Sequence, residues 1–119
     1  MLMDYLGDAD TPAPMLHDVA LDPQEARRLF HRVMRNVELW LACDRVHADL
    51  SAFNILYWQG QVTIIDFPQA VDPRSNPSAQ ALLTRDVENV CRYFARYGVW
   101  VNPTRIANDL WRRFLRGEL

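Results

Sequence analysis

The sequence predicts a mainly helical α+β domain organised around one small β-hairpin. Three observations predict it. Apolar residues recur at helical spacing in three separate stretches, covering residues 22–43, 78–97 and 103–117. Between the first two lies "NILYWQGQVTIID", two short strand-like runs meeting at Gln59-Gly60. The 119 residues are 50% hydrophobic and 24% charged with a formal net charge of -2, the balance of one soluble globular domain rather than a disordered tail.

In chain order, residues 1–7, "MLMDYLG", form an apolar strand-like run reaching a glycine with no preceding turn, as though the chain began inside a sheet or at a connector. Residues 8–21 are a Pro-rich loop. The first helix, over 22–43, has Asp22 as N-cap, Pro23 at the first helical position and Glu25 at the third, a capping-box entry. Its inward stripe is Ala26, Leu29, Phe30, Val33, Met34, Val37, Trp40 and Leu41. Residues 45–66 hold a polar loop and the hairpin, and "PQAVDPRSNPS" is a second Pro-rich loop. The helix from Ser78 to Tyr97 turns Leu82, Leu83, Val87, Val90, Cys91 and Phe94 inward. Asn102-Pro103 starts the last helix, with Ile106, Leu110, Trp111 and Phe114 inward and Gly117 as terminator.

Composition excludes several chemistries. All 13 basic residues are Arg, so no reaction that needs a Lys is complete in this chain. Cys43 and Cys91 lack a CxxC or a nearby His pair and read as free core thiols in a reducing compartment, which argues against zinc. No apolar run approaches the roughly 20 residues of a membrane span, and the N-terminus lacks a basic leader, so a cytoplasmic location is expected.

The chemistry concentrates in "VHADLSAFNIL". With a turn at Gln59-Gly60, Asn54 falls opposite Ile65 and Asp66, bringing a carboxamide and a carboxylate to the open end of one hairpin. Both are hard oxygen ligands suited to Mg²⁺ when phosphates complete its shell. Asp49 is the third corner, placed to orient an attacking hydroxyl or accept its proton. Such a set fits phosphoryl transfer, where positioning and charge neutralisation carry the rate. Singly, each residue reads as well as a turn former, and His47 as a structural histidine. Together they are set among Ile55, Leu56, Ile64 and Ile65, where an unpaired carboxylate costs several kcal/mol.

"VHADLSAFNILYWQGQVTIIDFPQAV" resembles the catalytic loop and metal-binding segment of the RIO-type atypical serine/threonine protein kinases, approximately H-x-D-L-S-x-[YF]-N-I-L followed by I-D-[FV]-x-Q. "LLTRDVENVCRYF" is similar to that family's helix after the metal site, with its Arg-Asp pair, and "MLMDYLGDADTPAPML" resembles its hinge and following loop. The resemblance covers nearly the whole chain but only the second half of the family's catalytic domain. It implies a protein-kinase-like C-lobe with the N-lobe absent: long helix, catalytic loop, hairpin and two C-terminal helices.

It further implies ATP and Mg²⁺, or Mn²⁺, as cofactors. Asp49 is then the catalytic aspartate, Asn54 and Asp66 are metal ligands, and Asp66 is a transient phosphate acceptor. Backbone groups of Asp4 and Leu6 bind adenine, with Met3 guarding the inner pocket and Leu56 and Ile65 as its apolar floor. His47 supports the loop, and Ser51 bonds within it or near phosphate. The implied partners are a protein phospho-acceptor or a ribosome-assembly particle.

Two departures stand out. Ala48 replaces the usual Gly, tolerable if that residue needs no positive φ. The Gly-rich loop, the ATP-pairing Lys and its Glu belong to an N-lobe, so the chain alone is expected to bind ATP weakly and turn over slowly or not at all. The exposed face at residues 1–6 predicts self-association. Two other classes fit less well. An aminoglycoside- or choline-type phosphotransferase shares H-x-D-x₄-N but carries His-Pro after Asp-Leu. A non-catalytic module would dock protein or RNA through residues 22–43 and Arg105, Arg112, Arg113 and Arg116.

Overall fold

The computed structural model describes residues 14–65 and 70–119. The hinge strand expected over 1–7, with Met3, Asp4 and Leu6, lies outside them, as does Asp66.

Asp22 starts α1 (Pro23–Ala42) by accepting the Glu25 N–H at 2.9 Å. The Glu25 carboxylate does not close the capping box by reaching back. It accepts the Tyr57 hydroxyl at 2.6 Å, a partner 32 residues away, and that contact raises the Tyr57 pKa above 10.0. Arg28 on the next turn donates to the Gly60 carbonyl at 2.8 Å, so the start of α1 carries the hairpin on its flank.

The hairpin pairs β1 (Ile55–Trp58) with β2 (Gln61–Ile64) in antiparallel register, Ile55 against Ile64 and Trp58 against Gln61. Both turn residues have positive φ, +50° at Gln59 and +76° at Gly60, the combination a two-residue turn needs to match strand twist. The other side of β1 is partly closed. Met15 bridges Leu56, and the Tyr57 N–H donates to Pro14 at 2.9 Å. A short 3-10 turn, Leu16–Asp18, follows and buries Leu16.

α2 (Ala79–Ala95) and α3 (Pro103–Leu115) complete the domain, α3 capped by Asn102, which accepts the Arg105 N–H at 3.1 Å. The core sits where α1, α2 and the loop converge, and includes Leu29, Val33, Leu41, Leu50, Leu83 and Phe94. Phe30 meets Phe94 edge to face at 5.7 Å. The Tyr93 hydroxyl donates to the Leu16 carbonyl at 2.8 Å, fastening α2 to the 3-10 turn. α3 ties back to α1 through Arg113 and Glu38 at 3.4 Å.

A second expectation, beside the capping box at Glu25, also fails. Cys91 is a buried thiol, pushed up to about 11 mainly by desolvation, but Cys43 is exposed. The apolar stripe of α1 ends at Leu41, and Cys43 follows as the C-cap, off that face. Among the described residues no helix is long and apolar enough to cross a membrane, and no cluster of His, Cys, Asp or Glu is arranged to hold a metal.

Candidate active site

Residues 46–54 run between the end of α1 and β1, and almost every polar group in them is committed. Val46 opens the loop with a two-bond bridge to Val71, N to O at 3.0 and 2.9 Å. His47 is buried and faces both ways. Its Nδ1 accepts the Asp49 N–H at 3.2 Å while Nε2 lies 3.0 Å from the Ile65 carbonyl, a pairing that needs the neutral ring with its proton on Nε2. Asn54, 6% exposed, closes the loop from its other end. Its Nδ2 donates to the Asp49 carbonyl at 2.5 Å, and its Oδ1 accepts the Ser51 N–H at 2.9 Å. The Ser51 hydroxyl accepts the Phe53 N–H at 3.2 Å, completing a capping box over the turn Ala52–Asn54.

These bonds leave Asp49 apart. Its backbone is gripped on both sides, yet the residue is exposed and no donor among the described residues meets its carboxylate. A rigid backbone under a free carboxylate is what a proton acceptor or hydroxyl-orienting group requires.

Asp86, noted in the sequence only as half of the Arg-Asp pair, is given no role there. It lies on α2 among the buried positions Leu83, Val87 and Val90, is 1% exposed, and accepts the N–H groups of Ala48 at 2.8 Å and Leu50 at 3.0 Å. Desolvation raises its carboxyl above the ordinary 3.8, against the pull of those two bonds and of His47 and Arg85. Arg85 donates to the Ala48 carbonyl at 2.7 Å, and Asn89 to that of Leu50 at 3.2 Å. One face of α2 thus latches both flanks of Asp49. The signal was present in the sequence, because Asp86 is the one charge on an otherwise apolar stripe.

The structure also corrects the reading of Ala48. Its φ is +75°, so the position does need the left-handed region, and Ala stands there under strain. Both its peptide groups are held by α2, which overrides the local preference. Ala48→Gly is expected to stabilise the fold by about 0.5–1 kcal/mol, the relief of the Cβ clash less the added freedom of the unfolded chain. A lowered urea midpoint for this variant would show that the methyl contributes more by packing.

The sequence-predicted residues divide as follows. Asp49, Ser51 and Asn54 share the loop; Ile65 is opposite Asn54, its N–H donating to the Asn54 carbonyl at 2.9 Å. Leu56 is half-buried on β1, with its backbone bridged to Met15. Asp66, Met3, Asp4 and Leu6 lie outside the described residues. The chain on either side of Asp66 is nevertheless pinned to the loop, at Ile65 by Asn54 and His47 and at Val71 by Val46.

For a divalent cation, Asn54 is a fitting partner. A carboxamide oxygen has two lone pairs and Ser51 occupies one, leaving a hard donor beside the exposed Asp49.

Comparison with known proteins places the chain in a family and a fold. Residues 1–106 match the model of the RIO domain. The chain is 39% identical over 106 residues to the human serine/threonine-protein kinase RIO1, covering 88% of this chain and 18% of that protein. It is 36% identical over 106 residues to the RIO-type serine/threonine-protein kinase Rio1 of Thermoplasma acidophilum, covering 89% of this chain and 54% of the relative. The chain therefore spans about a fifth of the human relative's length and about half of the archaeal one's. In fold it is similar to the Rio2 kinase of Chaetomium thermophilum, solved as an ADP/Mg²⁺-phosphoaspartate complex. The TM-score is 0.62 at 24% identity, over 90% of this chain and 34% of that one. That likeness gives the mainly helical arrangement with its small hairpin the fold of a kinase lobe.

Proposed function

The chain belongs to the RIO domain family, and from that premise we propose that it carries the catalytic loop and metal-binding hairpin of a serine/threonine protein kinase or ATPase using ATP. The observation that supports this most directly is the state of Asp49: exposed, unpaired among the described residues, and fixed through its N–H by His47 and its carbonyl by Asn54.

In this reading a hydroxyl of the acceptor approaches Asp49, which orients it and takes its proton. The acceptor oxygen forms a bond to the γ-phosphorus as the bond to the β-phosphate oxygen breaks, and ADP leaves. Asn54 and Asp66 would hold Mg²⁺ or Mn²⁺, which when bound neutralises charge on the phosphates. His47 couples the two halves of the site, because one ring touches the Asp49 backbone and the residue before Asp66. Asp86, Arg85 and Asn89 keep the loop from relaxing when the charge on the phosphates moves. The phosphoaspartate named for the Chaetomium kinase supports Asp66 as a second acceptor: its carboxylate oxygen bonds to the γ-phosphorus as the bond to the β-phosphate oxygen breaks and ADP leaves, and water then attacks that phosphorus to release phosphate and restore the carboxylate.

The test is Mn²⁺ with ADP added to the isotope-labelled chain, read by NMR. Paramagnetic broadening of amides in residues 49–54 that needs ADP and disappears in Asp66→Ala supports the reading. Broadening elsewhere only, or none in the presence of Mn²⁺ and ADP, overturns it.

A further inference from the structure

We propose that the recess beside the catalytic loop, bordered by His17, Ser51, Phe53, Asn89, Arg92 and Arg96, docks an acidic segment of the polypeptide that the kinase phosphorylates. The proposal rests on the kinase reading and adds the chemistry of its acceptor. The recess holds about 350 Å³.

Among the described residues five of the 13 arginines are held in ion pairs with carboxylates and eight are not, and two of those eight, Arg92 and Arg96, meet at this recess. Arg28, Arg35, Arg74, Arg112 and Arg113 each pair with a carboxylate of this chain. Arg92 and Arg96 have no such partner among the described residues. Arg92 reaches only the Asn89 carboxamide at 3.3 Å, and Arg96 lies over the Tyr93 ring at 4.8 Å, an arrangement that orients the guanidinium and leaves its charge uncompensated. Among the described residues its lining contains no carboxylate.

Its position ties it to the chemistry. Asn89, which contacts Arg92, donates to the carbonyl of Leu50, the residue after Asp49. Ser51 and Phe53 belong to the catalytic loop itself. Phe53 is 60% exposed with one face stacked on His17 at 4.1 Å, so its other side offers apolar surface next to the two cations. A polypeptide crossing Asp49 would lay neighbouring side chains here, and two guanidinium forks that have no carboxylate partner among the described residues match carboxylates bidentately.

Nucleic acid fits less well, because a strand needs a basic groove that continues along its backbone. The basic surface on α3 is partly neutralised, Arg112 by Asp109 and Arg113 by Glu38, and none of its arginines, Arg105 and Arg116 included, lines the recess.

The experiment measures anisotropy of labelled peptides of equal length, each with a central Ser flanked by Glu or by Gln, against the 119-residue chain. The Glu peptide is expected to bind at least about tenfold more tightly, the worth of one charge-assisted contact. Arg92→Gln with Arg96→Gln removes that preference, while Arg105→Gln on α3 leaves it. Both recess residues are exposed, so the double variant should melt with the parent. Charge reversal, Arg92→Glu with Arg96→Glu, is expected to transfer the preference to a Lys-flanked peptide. Three results overturn the proposal: affinity indifferent to peptide charge, a preference that survives the double variant, or an oligoribonucleotide that binds more tightly than the Glu peptide through the same two arginines. ADP and Mn²⁺ titrated into the same samples separate the two readings, since losing the peptide preference with nucleotide binding intact sinks only this one.

Discussion

Asp86→Ala is expected to destabilise the fold by roughly 3–5 kcal/mol, since it strands two buried N–H groups at about 1–3 kcal/mol each and leaves a cavity in the core. Against a total of about 5–15 kcal/mol for a small domain, that is a large share. Urea denaturation followed by tryptophan fluorescence measures it, and a loss under about 1 kcal/mol would show that water or another donor replaces the latch. The pH dependence follows from the raised carboxyl. Folding takes up a proton at Asp86, so its contribution is fully present below the ordinary 3.8 and is lost as pH rises through the elevated value. The stability of the chain relative to Asp86→Asn should accordingly fall as pH rises from 3.8 through that elevated value. A difference that grows instead would mean that the two backbone bonds outweigh desolvation.

Asp49→Asn is expected to lower phosphoryl transfer by about 10²–10⁴-fold, the usual worth of a positioned proton acceptor. The carboxamide keeps the shape and, with the carboxylate exposed and its backbone held independently, the fold should not change. The assay follows transfer from ATP with the N-terminal lobe of a relative supplied in trans, comparing variant and parent. Nucleotide affinity is expected to stay within about twofold, because in the proposed mechanism the substituted group orients the acceptor rather than the phosphates. A variant that retains full activity would remove Asp49 from the mechanism and leave it as a turn residue.

The elements were legible in the sequence because each is governed by neighbours in the chain. The Asp22 cap, the helical stripes and the Gln59-Gly60 turn depend on spacing and on a few dihedral preferences, and the register that places Asn54 opposite Ile65 follows from the turn. The loop's polar residues were legible for the same reason, their order being itself the motif. Contacts between distant residues were not. Nothing local distinguishes a Glu25 that closes its own capping box from one that accepts Tyr57, or a Cys43 inside the stripe from one just past it.

The sequence by itself therefore determined the helices, the hairpin and which polar groups gather between them. Only the tertiary structure decided how those groups are held. Asp86 comes to the loop from 36 to 38 residues away, and its bonds to Ala48 and Leu50 hold Ala48 at a positive φ that alanine avoids on its own. Local preferences are worth about 1 kcal/mol, while two buried bonds to a charged acceptor are worth several, so where they conflict the packing of α2 against the loop prevails.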